Sequence, residues 1–190
     1  GWQWTSDSPA EVIQEGAPSA DEFLFVTMPP GWHVTTGPGV MIWDPQLRAR
    51  DRHTVEAQFY LFPGSSDEGY GIFLDGGGLD TEEESALLFL VRNDGSAAVV
   101  HTMHDDMEYI TPWTPHDAIA TLPDDGGTAE NVLRIHIDVD SVEFHVNGEL
   151  VMDLGAPDQP LSGHFGLRVG GGLDVHVGAL DYTQHMARRR

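Results

Sequence analysis

Between His101 and Asp117 the chain crowds together side chains that can hold a polyhydroxylated ligand. His104, Asp105, Asp106, Tyr109, Trp113 and His116 form the set. Aromatic faces stack on the apolar face of a sugar ring, while carboxylates and imidazoles bond its hydroxyls. The same His and Asp side chains have the right chemistry for proton transfer. The competing reading is an exposed hairpin end in which Trp113 plugs the core.

A second constellation is His136, Asp138, Glu143 and His145. If Asp140-Ser141 makes a two-residue turn, Val139 pairs with Val142 and His136 lies directly opposite His145. Directly opposed Cβ atoms are about 4.5–5.5 Å apart, so two imidazoles and two carboxylates could then hold zinc or another divalent ion. His176 joins them if its strand is a neighbour. Against this, Asp-Ser suits a tight hairpin poorly, and alternate polar residues also describe a solvated sheet face. A third set, Asp75, Asp80 and Glu82 with Glu83 and Glu84, surrounds Gly76–Gly78 and offers hard oxygens to calcium. Its spacing is not that of an EF-hand, and a solvated acidic loop explains it equally. No residue is assigned a catalytic role. There is no Gly-x-Ser-x-Gly elbow and no Gly-x-x-x-x-Gly-Lys loop, and Gly170–Gly172 leads into a strand rather than a helix.

The charge balance narrows the partners. The formal net charge is −22, and all 9 cationic side chains are arginine. Such a field repels phosphate backbones, which excludes nucleic acid. It suits solubility, cation binding or a basic partner. With no cysteine, disulfides and thiolate chemistry are excluded. No apolar run approaches the roughly 20 residues that span a bilayer. The chain begins at Gly1 rather than Met, so a removed signal peptide or anchor, or trimming, is expected; with it comes an extracytoplasmic location, periplasmic or secreted, with membrane association as an option.

These side chains need elements to position them. The 22 Gly and 12 Pro punctuate short β-branched runs. His53–Phe62 alternates with period two, as do Asn131–Val139 and Ser141–Val146. Asn93-Asp94-Gly95 and Asn147-Gly148 are hairpin turns between apolar runs. Trp113–Gly127, with two prolines and two adjacent glycines, reads as a loop. No amphipathic helix or internal repeat emerges. The expectation is an all-β, two-sheet antiparallel jelly-roll sandwich over residues 21–185. Residues 1–20 form an arm or edge strand. Residues 186–190 form a basic tail, with Arg188–Arg190 a hook for an acidic partner or lipid headgroups.

The C-terminal third carries a resemblance. Asn131-Val-Leu-Arg-Ile-His-Ile-Asp runs into Val142-Glu-Phe-His-Val-Asn147-Gly148-Glu-Leu-Val. Gly163-His-Phe-Gly166-Leu-Arg-Val and Val175-His-Val-Gly-Ala-Leu-Asp-Tyr182 follow. This resembles the closing strands of concanavalin A-like lectin/glucanase domains, with the laminin-G-like and 3-keto-disaccharide hydrolase-like groups nearest. The resemblance implies a concanavalin-like sandwich and a set of functions that includes lectins, sugar-binding modules, protein-interaction domains and glycosidases. The retaining glucanases of that superfamily place Glu-x-Asp-x-x-Glu on one strand, its carboxylates about 5 Å apart. This chain lacks the pattern; Asp80-Thr-Glu82-Glu83-Glu84 and Asp138-Val-Asp140-Ser-Val-Glu143 have other spacings. Binding therefore ranks above catalysis. The ligand is a carbohydrate or a partner protein. The alternatives are an accessory structural subunit of a larger, membrane-associated complex and a hydrolase or lyase acting on glycosides or keto-glycosides.

Overall fold

The computed structural model describes residues 1–104 and 106–186. Among them there are fifteen strands and no helix. In chain order they are β1 (Gln3–Ser6), β2 (Glu11–Ile13), β3 (Glu22–Thr27), β4 (Trp32–Thr36), β5 (Val40–Ala49), β6 (His53–Leu61), β7 (Tyr70–Gly77) and β8 (Ser85–Val91). They continue with β9 (Ser96–Met103), β10 (Asp106–Pro115), β11 (Ala129–Ile137), β12 (Val142–Val146), β13 (Glu149–Asp153), β14 (Gly163–Val169) and β15 (Asp174–Gln184).

They form two sheets. One has seven strands in the order β1-β5-β14-β7-β8-β9-β10; the other has eight, β13-β12-β11-β6-β15-β4-β3-β2. Every pairing is antiparallel except β2 with β3. The C-terminal strands insert between N-terminal ones: β14 lies between β5 and β7, and β15 between β6 and β4. This is the expected two-sheet jelly roll. The N-terminal arm supplies an edge strand to each sheet, β1 to one and β2 to the other.

The eight-stranded sheet follows the alternation in the sequence. In β6 every second residue from His53 to Leu61 is buried and the others are half-buried. Its inner face meets that of the seven-stranded sheet around Phe59, Tyr70, Phe89, Phe144 and Phe165. The seven-stranded sheet differs. Met41, Trp43, Phe73, Leu88, Leu90, Ala98 and Val100 form a second buried cluster. They alternate with inward residues such as Ile42, Ile72, Phe89 and Val99, so they lie on the outer face. Strands covered on both faces read as unbroken apolar runs, which is what Ala86–Val91 and Ala97–Val100 are.

Two sequence expectations change. The strand after β9 continues through Pro112 to Pro115, with bulges between Tyr109 and Thr111 and between Thr111 and Thr114. It is an edge strand, where proline removes no ladder bond. The β11–β12 turn is also longer than two residues. Ile137 pairs with Val142, and the Asp138 N–H donates to the Ser141 carbonyl at 2.9 Å. The register slips by two residues, so His136 faces Glu143 and His145 faces Arg134. The supposed His136–His145 pair does not form. An opposed pair does occur elsewhere: His33 and His176 face each other across β4 and β15.

His53 opens β6 with its side chain fully buried. Its Nδ1–H donates to the Asp51 carbonyl at 2.8 Å, and Nε2 has no hydrogen-bond partner among the described residues. Burial lowers its pKa; the Asp51 carbonyl opposes this, and His185 and His136 reinforce it. The folded pKa thus lies below the unfolded value of about 6.5. The unfolded chain takes up this proton first, so stability is whole above about pH 6.5 and falls as pH drops from there through the folded pKa. The urea midpoint is expected to fall between pH 7 and about pH 5.5, and to fall less in His53→Leu. Equal slopes in the two proteins would assign the acid sensitivity to other groups.

Candidate ligand-binding groove

Two residues of the outer cluster, Met41 and Leu88, lie in the floor of a groove of about 820 Å³. Met41 of β5, Arg168 of β14, Leu88 of β8 and Thr102 of β9 line its base. Trp4 of β1 borders one side and Met107 of β10 the other. These are the two edge strands, so the groove runs the width of the sheet. Six strand spacings of about 4.8 Å make that width roughly 29 Å.

Two segments wall it. One is the loop of residues 78–84. Leu79 is 7% exposed and packs with Phe73 in the outer cluster, which pins the loop to the sheet. Gly78 and Asp80 take positive φ, and Thr81 closes the turn by donating its N–H (3.0 Å) and Oγ1–H (2.6 Å) to the Gly78 carbonyl. That fold brings Asp80, Glu82 and Glu84 to the groove. The His104 N–H donates to the Glu84 carbonyl at 2.6 Å and ties the β9–β10 turn to the same wall.

The other wall is the N-terminal arm. Asp7 receives two hydrogen bonds from the Arg168 guanidinium, at 2.7 and 2.6 Å. The Arg168 side chain is 15% exposed. A Cβ on Gly39 would lie 2.2 Å from Asp7 Oδ2 and 2.8 Å from Arg168, so only glycine leaves room for the pair. The Asp7 N–H also donates to the Gly39 carbonyl at 2.9 Å.

Of the six residues expected to hold a ligand, His104 lines this groove. Asp105 lies outside the described residues. Asp106 pairs with Met103, and strand alternation sends it to the face opposite Met107. Tyr109 pairs with Val100 on the groove side and is exposed. His116 caps a turn, its Nδ1 accepting the Ala118 N–H at 3.1 Å. Trp113 packs against the outer cluster, beneath the Arg92 guanidinium at 4.4 Å from its ring centroid, and over Gly69, where a Cβ would meet the ring at 2.7 Å. It is a packing residue. Trp113→Ala is expected to cost about 2 kcal/mol of stability, read by urea denaturation. A loss of ligand binding with unchanged stability would return Trp113 to the ligand set. The sequence reading missed Trp4, Asp7, Met41, Leu88 and Arg168.

The metal set is divided. His136, Glu143 and His145 line a cavity of about 460 Å³ on the outer face of the eight-stranded sheet, with Thr54, Arg134 and His185. Thr54 Oγ1 bridges His136 Nδ1 (2.9 Å) and His185 Nε2 (2.8 Å), and His145 Nε2 lies 3.0 Å from Glu143. Asp138 is engaged instead by Arg52 at 2.7 Å, which holds its carboxyl below the usual range. His176 is remote from the set, its Nε2 2.8 Å from the Pro30 carbonyl. The calcium set divides too. Asp80 and Glu82 face the groove; Asp75 is half-buried outside it, its pKa pushed up by burial against the Ser162 N–H and His101. Among the described residues no three His, Cys, Asp or Glu side chains are grouped so as to hold a metal ion.

The chain matches no protein-family model and no curated protein. Solved structures share its fold. A carbohydrate-binding module, CBM66 from Bacillus subtilis, superposes with a TM-score of 0.65 at 13% identity, over 93% of this chain and 100% of that one. The exoplasmic/lumenal domain of VIP36, in a form bound to Ca²⁺ and Man3GlcNAc, gives 0.63 at 10% identity over 100% and 86%. A Bacteroides ovatus GH16 protein of a mixed-linkage glucan locus, in complex with a product, gives 0.60 at 9% over 96% and 94%. The chain is thus a concanavalin A-like jelly roll. At these identities the likeness establishes the fold and leaves the ligand to the site.

Proposed function

We propose that this protein is a non-catalytic, extracytoplasmic carbohydrate-binding domain whose ligand lies in the groove across the seven-stranded sheet. The observation that carries the reading is the groove itself: an apolar base of Met41 and Leu88, an apolar rim at Met107, and polar walls. Apolar floors with a few placed polar groups are the usual make-up of small-ligand sites. Solved structures of the same fold include the carbohydrate-binding module and the saccharide-bound VIP36 domain, which supports the ligand class. Apart from Asp7, which Arg168 engages, the groove carboxylates Asp80, Glu82 and Glu84 come from one loop rather than from facing strands. Asp75, whose pKa burial raises, lies outside the groove. Both facts favour binding over acid–base catalysis. No helix among the described residues is long and apolar enough to cross a membrane.

Calorimetric titration against a panel of neutral, amino-bearing and acidic oligosaccharides tests the reading. One class should bind, and Met107→Ala should weaken it about tenfold, about 1.4 kcal/mol. Met107 borders the groove on an edge strand and is 54% exposed, so the fold should survive the change. Silence across the panel, or binding indifferent to Met107, would sink the proposal.

A further inference from the structure

We infer that the groove selects saccharides that carry protonated amino groups; this rests on the reading of the groove as a carbohydrate site. Its carboxylates outnumber its cationic side chains: Asp7, Asp80, Glu82 and Glu84 stand against Arg168 and the imidazole of His104. Arg168 is the arginine in its lining, and both faces of that guanidinium's fork are taken up by Asp7. Asp80, Glu82 and Glu84 have no ion-pair partner among the described residues. All three border the same groove, and buried Leu79 anchors their loop to the sheet, so repulsion among them is not relieved by the loop swinging away. A recess with low-dielectric walls focuses that field, and the chain's charge of −22 adds to it.

Ionised carboxylates are acceptors only, and an ammonium is a donor only, with three N–H groups. A neutral sugar offers hydroxyl donors to the same oxygens but does not relieve the repulsion. A sugar carboxylate or sulfate adds to it, and the one guanidinium that would receive it is already paired. The ordering expected from the groove is therefore amino-bearing above neutral above acidic.

The test uses β-1,4 oligomers of one length that differ at C2: glucosamine, N-acetylglucosamine and glucose. Titrations run at about pH 6, where both amine and carboxylates are charged. The glucosamine oligomer should bind at least tenfold more tightly than the other two at about 50 mM salt, and the advantage should shrink at about 500 mM. Glu82→Gln/Glu84→Gln should remove most of the advantage. Glu130→Gln/Glu149→Gln makes the same change in net charge on the eight-stranded sheet, where both residues are exposed, and should leave it intact. Equal affinity for all three oligomers overturns the inference and leaves the groove reading standing. Equal weakening by the two double variants also overturns it, because the attraction is then to the whole acidic surface. No binding by any oligomer, together with silence across the wider panel, overturns the groove reading itself.

Discussion

Asn131→Leu is expected to destabilise the fold by about 3–5 kcal/mol, read as a fall in the urea midpoint with an unchanged slope. Asn131 is fully buried and its amide makes four hydrogen bonds. Nδ2 donates to the Tyr70 hydroxyl at 2.9 Å and to the Ala120 carbonyl at 3.0 Å. Oδ1 accepts the Ala120 N–H at 2.9 Å and Asn147 Nδ2–H at 3.0 Å. One side chain on β11 thereby joins the facing sheet through β7, the segment that closes the sandwich end, and the β12–β13 turn. Leucine fills nearly the same volume, so the cost is not a cavity. It is the stranding of the Tyr70 hydroxyl and both Ala120 backbone groups, each worth about 1–3 kcal/mol when buried without a partner. Tyr70 is buried deeply enough that its pKa is pushed up to about 12. Against a total stability of roughly 5–15 kcal/mol the loss is large. Tyr70→Phe removes one bond and leaves Asn131 Nδ2 its Ala120 partner, so it should cost about 1 kcal/mol. A loss below that in Asn131→Leu would show that the closing segment is held by its apolar contacts alone.

Asn131 also shows what can be read from a sequence and what cannot. Its strand was legible because Leu133, Ile135 and Ile137 alternate with half-buried or exposed residues. Its role was not, because its partners lie 11, 16 and 61 residues away. The same divide runs through the two sheets. The eight-stranded sheet has one wet face, and its alternation announces strand, face and core together. In the seven-stranded sheet Ala86–Val91 signals a strand but hides the outward Leu88 among inward neighbours. The groove is built on that hidden face. Its wall and base come from Asp7 and Arg168, 161 residues apart and brought together by the β1-β5-β14 order. No local pattern reports such a pairing. The segment 101–117 looked richest in chemistry because it is an edge strand with polar and aromatic residues on both sides, and alternation then divides those side chains between two faces. The β11–β12 register failed on turn length. Val142 pairs with Ile137 rather than with Val139, so the loop takes two residues more than Asp140-Ser141.

Because Asp7 neutralises the arginine in the groove, Asp7→Asn should narrow the groove's preference for cationic sugars, while Asp80, Glu82 and Glu84 keep the lining net negative. The change keeps the side-chain shape beside Gly39, where there is no spare room, and removes the charge that neutralises Arg168. The guanidinium then stands in the groove as an available fork for a carboxylate. An oligomer of a uronic acid should gain about tenfold or more in affinity, and the glucosamine oligomer should lose a comparable factor at low salt. The fold should lose about 1–2 kcal/mol, because Arg168 is mostly covered and only partly rehydrated by groove water. Arg168→Met separates the two effects. It removes the new fork, so the Asp7→Asn/Arg168→Met protein should bind the uronic oligomer no better than the parent. In the stability cycle the pair should couple, the double variant costing less than the sum of the single ones. Additive losses would mean that the arm is held by β1 pairing and by Trp2 and Trp4, with the ion pair a bystander. An unchanged affinity for the acidic oligomer would mean that saccharides do not reach Arg168, and the ligand path would then lie nearer the loop of residues 78–84.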